Sequence, residues 1–195
     1  MNKEPLKLRD FIFMGLISVA FGIVYLIALY LGAALTTALT PAGIGILGYE
    51  PFYGIWFMAP VVALYILRRP SVGIITEIFA AVIEVVLGNV FSPIVIVSAF
   101  IQGLGVELPY MFMNYRRYNM RNSMVGAVLA TIFSFIWTAF RNDYASLEIS
   151  IVIAIFVIRL VSSLIFTGFI AHKICIALDN TGLLKSYGVS HEKGK

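Results

Sequence analysis

The sequence RRPSVGIITEIFAAVIEVVLGN at residues 68–89 and the sequence FSPIVIVSAFIQGLGVELPYMFMNYRRY at residues 91–118 decide the fold. Both are apolar enough to cross a membrane, yet together they carry the polar side chains Glu77, Glu84, Gln102 and Glu107. A charged side chain at the centre of a bilayer costs about 3 to more than 10 kcal/mol, depending on the reference state. Polar groups in two adjacent apolar segments therefore indicate a site inside a membrane-spanning bundle.

The composition of the whole chain indicates an all-α integral membrane protein. Its 195 residues are 61% hydrophobic and 12% charged, and the mean hydropathy is +0.95. A soluble domain is about half apolar and about a quarter charged. At about 20 residues per span, the chain accommodates about six transmembrane helices and no soluble catalytic domain.

Breaks in the apolar pattern predict six spans in a single transmembrane domain that covers residues 1–195. The predicted spans are at about residues 11–31, 52–67, 71–88, 93–113, 123–140 and 149–176. The segment from Gly32 to Gly54 has five glycines, two prolines and one charge. It is too broken for a regular span and too apolar for a solvated loop, so we interpret it as a lid-like loop.

Basic residues in the connections predict the orientation. The N-terminal tail has three, the connection after span two has two, the connection after span four has three, and the region from Lys173 onward has four. The opposite connections contain only Arg141. The positive-inside rule then predicts two cytoplasmic termini and an outward-facing lid-like loop. We read the net charge of +4 as this topology signal in a lipid bilayer, not as a nucleic-acid-binding patch.

The polar residues separate into two levels of the membrane. At about 1.5 Å per residue, Glu77 lies about 9 Å above the cytoplasmic end of span three and Glu84 about 20 Å above it. Span four descends, so Gln102 is expected at the outer level and Glu107 at the inner level. Small residues alternate with Glu77 and Glu84 at helical spacing along span three, which predicts that this stripe faces the bundle interior.

The outer level predicts a ligand-binding site of Trp56, Glu84, Asn89, Gln102 and Trp137. A carboxylate and an amide can hydrogen-bond the edge of a nitrogen heterocycle, while tryptophan faces stack on the ring and attract a cation. A structural alternative stays open for each residue: interfacial anchoring for the tryptophans, a cap for Asn89 and a protonated structural carboxyl for Glu84.

The inner level predicts a structural ionic cluster, with Glu77 and Glu107 paired to the mid-span Arg159. The sequence does not indicate catalysis, because it lacks the motifs Gly-x-Ser-x-Gly and His-Glu-x-x-His and a phosphate-binding loop. The single cysteine, Cys175, and two histidines 19 residues apart predict no metal cluster. We expect no enzyme activity, no metal and no cofactor.

Four motifs in this order resemble a known family: YGIW at residues 53–56, the stretch at 68–89, IQGLGVE at 101–107 and YRRY at 115–118. They are similar to the substrate-binding S components of energy-coupling-factor (ECF) vitamin transporters, in the thiamine and hydroxymethylpyrimidine branch. The resemblance covers essentially the whole chain, and E-x-x-A-A-x-x-E-x-x-x-G-N and Q-G-x-G-x-E are its specific parts.

The resemblance implies six helices, a lid after the first helix and an outward-facing pocket for thiamine or hydroxymethylpyrimidine in a prokaryotic plasma membrane. It also implies a transmembrane coupling subunit and cytoplasmic ATPase subunits as partners, which hydrolyse the ATP. Family members commonly contact the coupling subunit through Ala-x-x-x-Ala in the first helix. This chain has Ser18 and Gly22 at that spacing, and a small-xxx-small pair lets helices approach closely.

Two other functions remain open from the sequence. A proton-coupled carrier acting alone would use Glu77, Glu84 and Glu107 as relays. A structural membrane subunit would bind no small molecule and would pair its carboxylates with Arg159.

Overall fold

The computed structural model describes residues 6–89 and 93–181, and within these ranges the chain forms helices and no strand. The α-helices are α1 (Leu8–Leu39), α2 (Met58–Leu67), α3 (Val72–Val86), α4 (Val95–Phe112), α5 (Met120–Arg141), α6 (Ile149–Ser163) and α7 (Ala171–Asn180). Short 3₁₀ helices at Thr40–Ala42, Gly45–Leu47 and Glu50–Phe57 join α1 to α2, and another at Tyr144–Ser146 lies before α6. His191 and the three lysines beyond residue 181, which entered the sequence analysis, lie outside the described residues.

Six helical elements account for these α-helices in the described residues. Five helical stretches are long and apolar enough to cross a membrane: Leu8–Ala42, Gly45–Leu67, Val95–Phe112, Met120–Arg141 and Ile149–Asn180. The last combines α6, the π-helical turn Leu164–Ile170 and α7. The sixth element is α3, whose 15 residues extend about 22 Å. The prediction of an all-α, six-helix membrane protein is confirmed.

The first helix is longer than predicted and includes the start of the expected lid. It continues to Leu39, and Tyr49 packs against it at Gly32, where a Cβ would overlap the tyrosine ring. The remaining part of the segment is not an open loop either, since it consists of three 3₁₀ helices. The span predicted from residue 52 correspondingly begins with 3₁₀ geometry, and its α-helix starts at Met58.

The 3₁₀ helix Glu50–Phe57 is fixed to the last span through Gly54. The Gly54 N–H donates to Ser162 Oγ at 3.0 Å, and its carbonyl accepts from Thr167 Oγ1 at 2.6 Å. A Cβ at this position would overlap the Ser162 backbone. Glycine therefore permits a backbone-to-backbone contact that carries Glu50–Phe57 into the bundle.

Helices α1 and α3 pack together through the small pair that was expected to contact a coupling subunit. Ser18 Oγ donates to the Thr76 carbonyl at 3.0 Å, and a Cβ added at Gly22 would lie 2.6 Å from the Ile83 side chain. Both residues are buried in this chain. In this chain the two residues contact α3, and their expected contact with a coupling subunit stays a prediction.

Candidate functional site

A cavity of about 350 Å³ lies between α1, α3, α4, the Glu50–Phe57 segment and the adjoining ends of α5 and α6. This volume is within the range of about 300–1,000 Å³ that small-molecule sites occupy. The charged and amide side chains in its wall are Glu50, Glu77, Glu84, Asn89, Gln102, Arg141, Asn142 and Arg159. Its aromatic side chains are Tyr25, Tyr49, Tyr53, Trp56 and Tyr144.

Three of the predicted ligand-binding residues form one hydrogen-bonded group in this wall. Trp56 Nε1 donates to Glu84 Oε1 at 3.3 Å, and the Asn89 side chain also hydrogen-bonds to Glu84. Trp56 comes from the 3₁₀ segment, whereas Glu84 and Asn89 come from α3 and the turn that follows it. The carboxylate of Glu84, only 2% exposed, thus retains acceptor capacity toward the cavity.

Gln102 reaches the same cavity from α4. The residue is 7% exposed, and its amide has no hydrogen-bond partner among residues 6–89 and 93–181. The residue lines a cavity rather than a sealed interior, so water or a bound molecule can pair with its amide. Gln102 therefore offers both a donor and an acceptor to a bound molecule.

Trp137, the fifth predicted residue, does not line the cavity. Its Nε1 donates to Ser98 Oγ at 2.8 Å, and Ser98 lies in the cavity wall. The expected stacking of Trp137 on a ligand stays a prediction, and in this structure the indole lies behind Ser98. The indole is directed toward α4, where it orients a hydroxyl that faces the cavity.

The partner of Arg159 differs from the one predicted for the ionic cluster. Its guanidinium donates to both oxygens of Glu50 at 2.7 Å, with a further bond to Thr138 Oγ1 at 2.9 Å. The same group lies 3.7 Å from the centroid of the Tyr53 ring. Glu50, rather than Glu77 or Glu107, is its partner, because the 3₁₀ segment carries Glu50 into the bundle beside α6. The structural alternative, in which Glu77 and Glu107 pair with Arg159, therefore does not have the expected contacts in the described residues.

Glu77 belongs to the cavity rather than to an ion pair. Tyr25 Oη donates to Glu77 Oε2 at 2.7 Å and accepts from the Ala59 N–H at 3.2 Å. Glu77 is 1% exposed, and it lines the same cavity as Glu84. The tyrosine therefore fixes one carboxylate oxygen of a residue that the sequence predicted to be structural.

Glu107, which was predicted to belong to the ionic cluster with Arg159, hydrogen-bonds to neutral donors instead. Its carboxylate accepts from the Ser71 N–H, the Ile74 N–H at 3.0 Å and the Tyr115 hydroxyl at 2.8 Å. The first two donors lie at the start of α3, so Glu107 caps that helix from α4. Burial raises the pKa of Tyr115 above its usual range, and the neighbouring Glu107 carboxylate raises it further.

The charged side chains of the cavity wall are the carboxylates Glu50, Glu77 and Glu84 and the arginines Arg141 and Arg159. Glu50 is neutralised by Arg159, whereas the protein partners of Glu77 and Glu84 in the described part of the chain are the neutral groups of Tyr25, Trp56 and Asn89. The sequence analysis missed the Glu50–Arg159 pair. A usable signal existed, since one acid in the lid-like segment and one base in the last span are otherwise isolated among apolar residues.

Three comparisons with known proteins show what this chain is similar to. A family model described as ABC-type cobalt transport system, permease component, matches residues 9–133. The HMP/thiamine permease protein YkoE of Bacillus subtilis (strain 168) is 32% identical over 189 residues, which cover 97% of this chain and 92% of that protein. A crystal structure of an S-component of ECF transporter superposes with a TM-score of 0.86 at 32% identity, covering 93% of this chain and 90% of the other.

Proposed function

This chain belongs to the S components of ECF transporters, and we propose that its cavity captures thiamine or hydroxymethylpyrimidine for import. It is thus a multi-pass protein of a prokaryotic plasma membrane and a substrate-binding subunit of a transporter, not an enzyme. The relative from Bacillus subtilis is named for HMP and thiamine. The choice of ligand for this chain rests on the chemistry of its cavity.

The observation that carries the proposal is the arrangement of Glu84, Gln102 and Trp56 in one cavity wall. An aminopyrimidine presents an amino donor beside a ring-nitrogen acceptor. The Glu84 carboxylate can accept from the amino group, while the unpaired Gln102 amide can donate to the ring nitrogen. The indole of Trp56 supplies an aromatic surface for the ring.

Import requires energy that we assign to other chains. The sequence has no phosphate-binding loop, so we propose that cytoplasmic ATPases and a transmembrane coupling subunit complete the transporter. The distribution of basic residues supports cytoplasmic termini and a cavity open to the outside. The Thr40–Ala42 and Gly45–Leu47 helices would then form the cover of the site, with Gly45 and Ile46 at its inner surface.

Isothermal titration of the purified protein tests the ligand. We expect saturable binding of thiamine or hydroxymethylpyrimidine with micromolar affinity or better, about −8 kcal/mol. The isolated thiazole alcohol, which lacks the aminopyrimidine edge, serves as the matched control compound and should bind far more weakly. Affinity no tighter than millimolar for both pyrimidine compounds would remove the proposal.

Uptake into vesicles tests the need for partners. Vesicles that contain this chain alone should not accumulate thiamine under a pH gradient. Vesicles that also contain the coupling subunit and ATPases should do so when ATP is supplied. Accumulation by this chain alone, driven by the pH gradient, would instead support a proton-coupled carrier.

A further inference from the structure

The connection between α4 and α5 carries three arginines, and we propose that it binds the headgroup of an anionic phospholipid. The arginines are Arg116, Arg117 and Arg121, on the side of the membrane that the charge distribution predicts to be cytoplasmic. None of the three lines the cavity. This lipid site is therefore separate from the ligand site, and it does not depend on what the cavity binds.

The two tyrosines of the YRRY motif fix this connection to the bundle. The Tyr115 hydroxyl donates to Glu107 Oε1 at 2.8 Å. Tyr118 is only 9% exposed, and its ring centroid lies 5.4 Å from that of Tyr110. The two arginines between these tyrosines are exposed. The motif thus holds its aromatic side chains against the protein and presents its cationic ones at the surface.

The start of α5 holds the backbone of the connection and the third arginine. Asn122 Nδ2 donates to the Arg117 carbonyl at 2.8 Å, and the Asn122 N–H donates to the capping oxygen of Asn119 at 3.1 Å. Arg121 is exposed in the first turn of α5. A connection with this many internal hydrogen bonds loses little conformational freedom when a partner binds.

The three arginines lack a counter-charge in the described part of the chain. Their guanidinium groups form no hydrogen bond or ion pair with another residue among 6–89 and 93–181. The first turn of α5 contains no acidic residue, and a cation there is unfavourable because the helix dipole is positive at the N-terminus. A positive topology signal requires neither feature, whereas a bound anion would offset both.

The chain just before the arginines indicates that the anion belongs to a lipid. Met111, Phe112 and Met113 are 45%, 74% and 46% exposed, and they lie at the end of a membrane-spanning helix. Apolar side chains in that position contact acyl chains. A phospholipid carries its phosphodiester directly beside its acyl chains, and arginine binds phosphate oxygens through paired hydrogen bonds. One lipid molecule can therefore contact both the apolar residues and the arginines.

Native mass spectrometry of the purified full-length protein in a neutral detergent tests the lipid. We expect saturable binding of phosphatidylglycerol at least about tenfold tighter than that of phosphatidylcholine, which has a phosphodiester but no net negative charge. Equal affinities for the two lipids would overturn the proposal. Inorganic phosphate should not compete with phosphatidylglycerol, because it has no acyl chain. Competition at equal concentrations would indicate a site for a soluble anion and would contradict the lipid assignment.

The double variant Arg116→Gln/Arg117→Gln tests the site. Each basic side chain near an anionic headgroup contributes about fivefold in affinity, so the loss of two should weaken phosphatidylglycerol binding about 25-fold. Lys7→Gln/Arg9→Gln is the matched control, since it removes the same charge from two exposed residues on the same predicted side. It should change the affinity no more than about twofold. Equal losses in the two double variants would contradict a specific site.

The variant Arg116→Lys/Arg117→Lys provides a second measurement that keeps the net charge. Lysine retains the attraction to an anion but lacks the planar fork that binds phosphate through two hydrogen bonds, so we expect about a three- to fivefold loss. A loss as large as in the glutamine variant would contradict the electrostatic basis of the site. If the glutamine variant does not fold, the lysine variant and the comparison of the two lipids on the wild-type protein still decide the proposal.

Discussion

Glu84 and Glu107 are both buried carboxylates on neighbouring helices, and their surroundings differ. Glu107 accepts hydrogen bonds from two backbone N–H groups and a tyrosine hydroxyl. Glu84 accepts from Trp56 Nε1 at the longer distance of 3.3 Å and from Asn89, and it lines a cavity. The carboxylate of Glu107 is satisfied by the protein alone, whereas that of Glu84 is only partly satisfied.

This difference separates a structural carboxylate from a ligand-binding one better than burial does. Both residues are nearly inaccessible, at 2% exposure for Glu84 and 0% for Glu107. What distinguishes them is the number of donors and the empty volume beside them. A substitution at Glu107 should therefore mainly lower the stability of the protein, whereas one at Glu84 should mainly lower its affinity for the ligand.

The largest effect is expected for Arg159→Met, which leaves Glu50 buried without its cation. Breaking a buried ion pair from one side costs about 3–5 kcal/mol, so the midpoint of thermal unfolding in detergent should fall sharply. The double variant Arg159→Met/Glu50→Gln removes the unpaired charge and should regain part of the loss. An unchanged unfolding midpoint in the single variant would show that the pair does not hold the Glu50–Phe57 segment.

Glu107→Ala should destabilise the protein by about 2–3 kcal/mol. The change leaves three donors without their acceptor, at about 1–3 kcal/mol for each donor that water does not reach. Water should reach the Ser71 N–H, because Ser71 is exposed. Thermal unfolding measures the loss, while titration of the folded variant should give wild-type affinity for thiamine. A weakened affinity at full stability would mean that the inner carboxylate also serves the ligand.

Glu84→Gln should show the opposite pattern. Glutamine keeps the size of the side chain but removes the charge, so we expect thiamine affinity to fall about 10- to 100-fold, or about 1.4–2.8 kcal/mol. The unfolding midpoint of the ligand-free protein should change little. If affinity is retained and stability is lost, Glu84 is a structural carboxylate like Glu107.

The smallest effect is expected for Trp137→Phe. The substitution removes the hydrogen bond to Ser98 Oγ but keeps an aromatic ring, at a cost of about 1 kcal/mol. Because Ser98 faces the cavity, affinity for thiamine should fall no more than about fivefold in titration. A loss of thiamine affinity as large as that expected for Glu84→Gln would indicate that Trp137 contacts the ligand directly.

The features that the sequence predicted correctly depend on local periodicity. The length and apolarity of the runs predicted the six helices, and the helical spacing of Glu77 and Glu84 predicted that both face the interior. Counting residues from the ends of the spans placed Gln102 at the level of Glu84, and both line the cavity. These inferences required only the regular geometry of an α-helix in a bilayer.

The features that the sequence did not predict depend on tertiary packing. Residue counting placed Arg159 at mid-span, but it could not show that a 3₁₀ helix delivers Glu50 to that depth. The small pair Ser18 and Gly22 is compatible with packing against any helix, and the choice of α3 depends on the shapes of both surfaces. The rotation of the Trp137 side chain likewise follows from its partner Ser98, 39 residues away.

The contact between Gly54 and the last span also indicates that the Glu50–Phe57 segment and α6 unfold together. Both backbone polar groups of Gly54 are bonded to side chains of the span that begins with α6, and the two backbones touch. An amide in such a contact can exchange its hydrogen only when the helices separate. We therefore expect the Gly54 amide to exchange as slowly as the amides in the middle of α6, although it lies in a 3₁₀ segment.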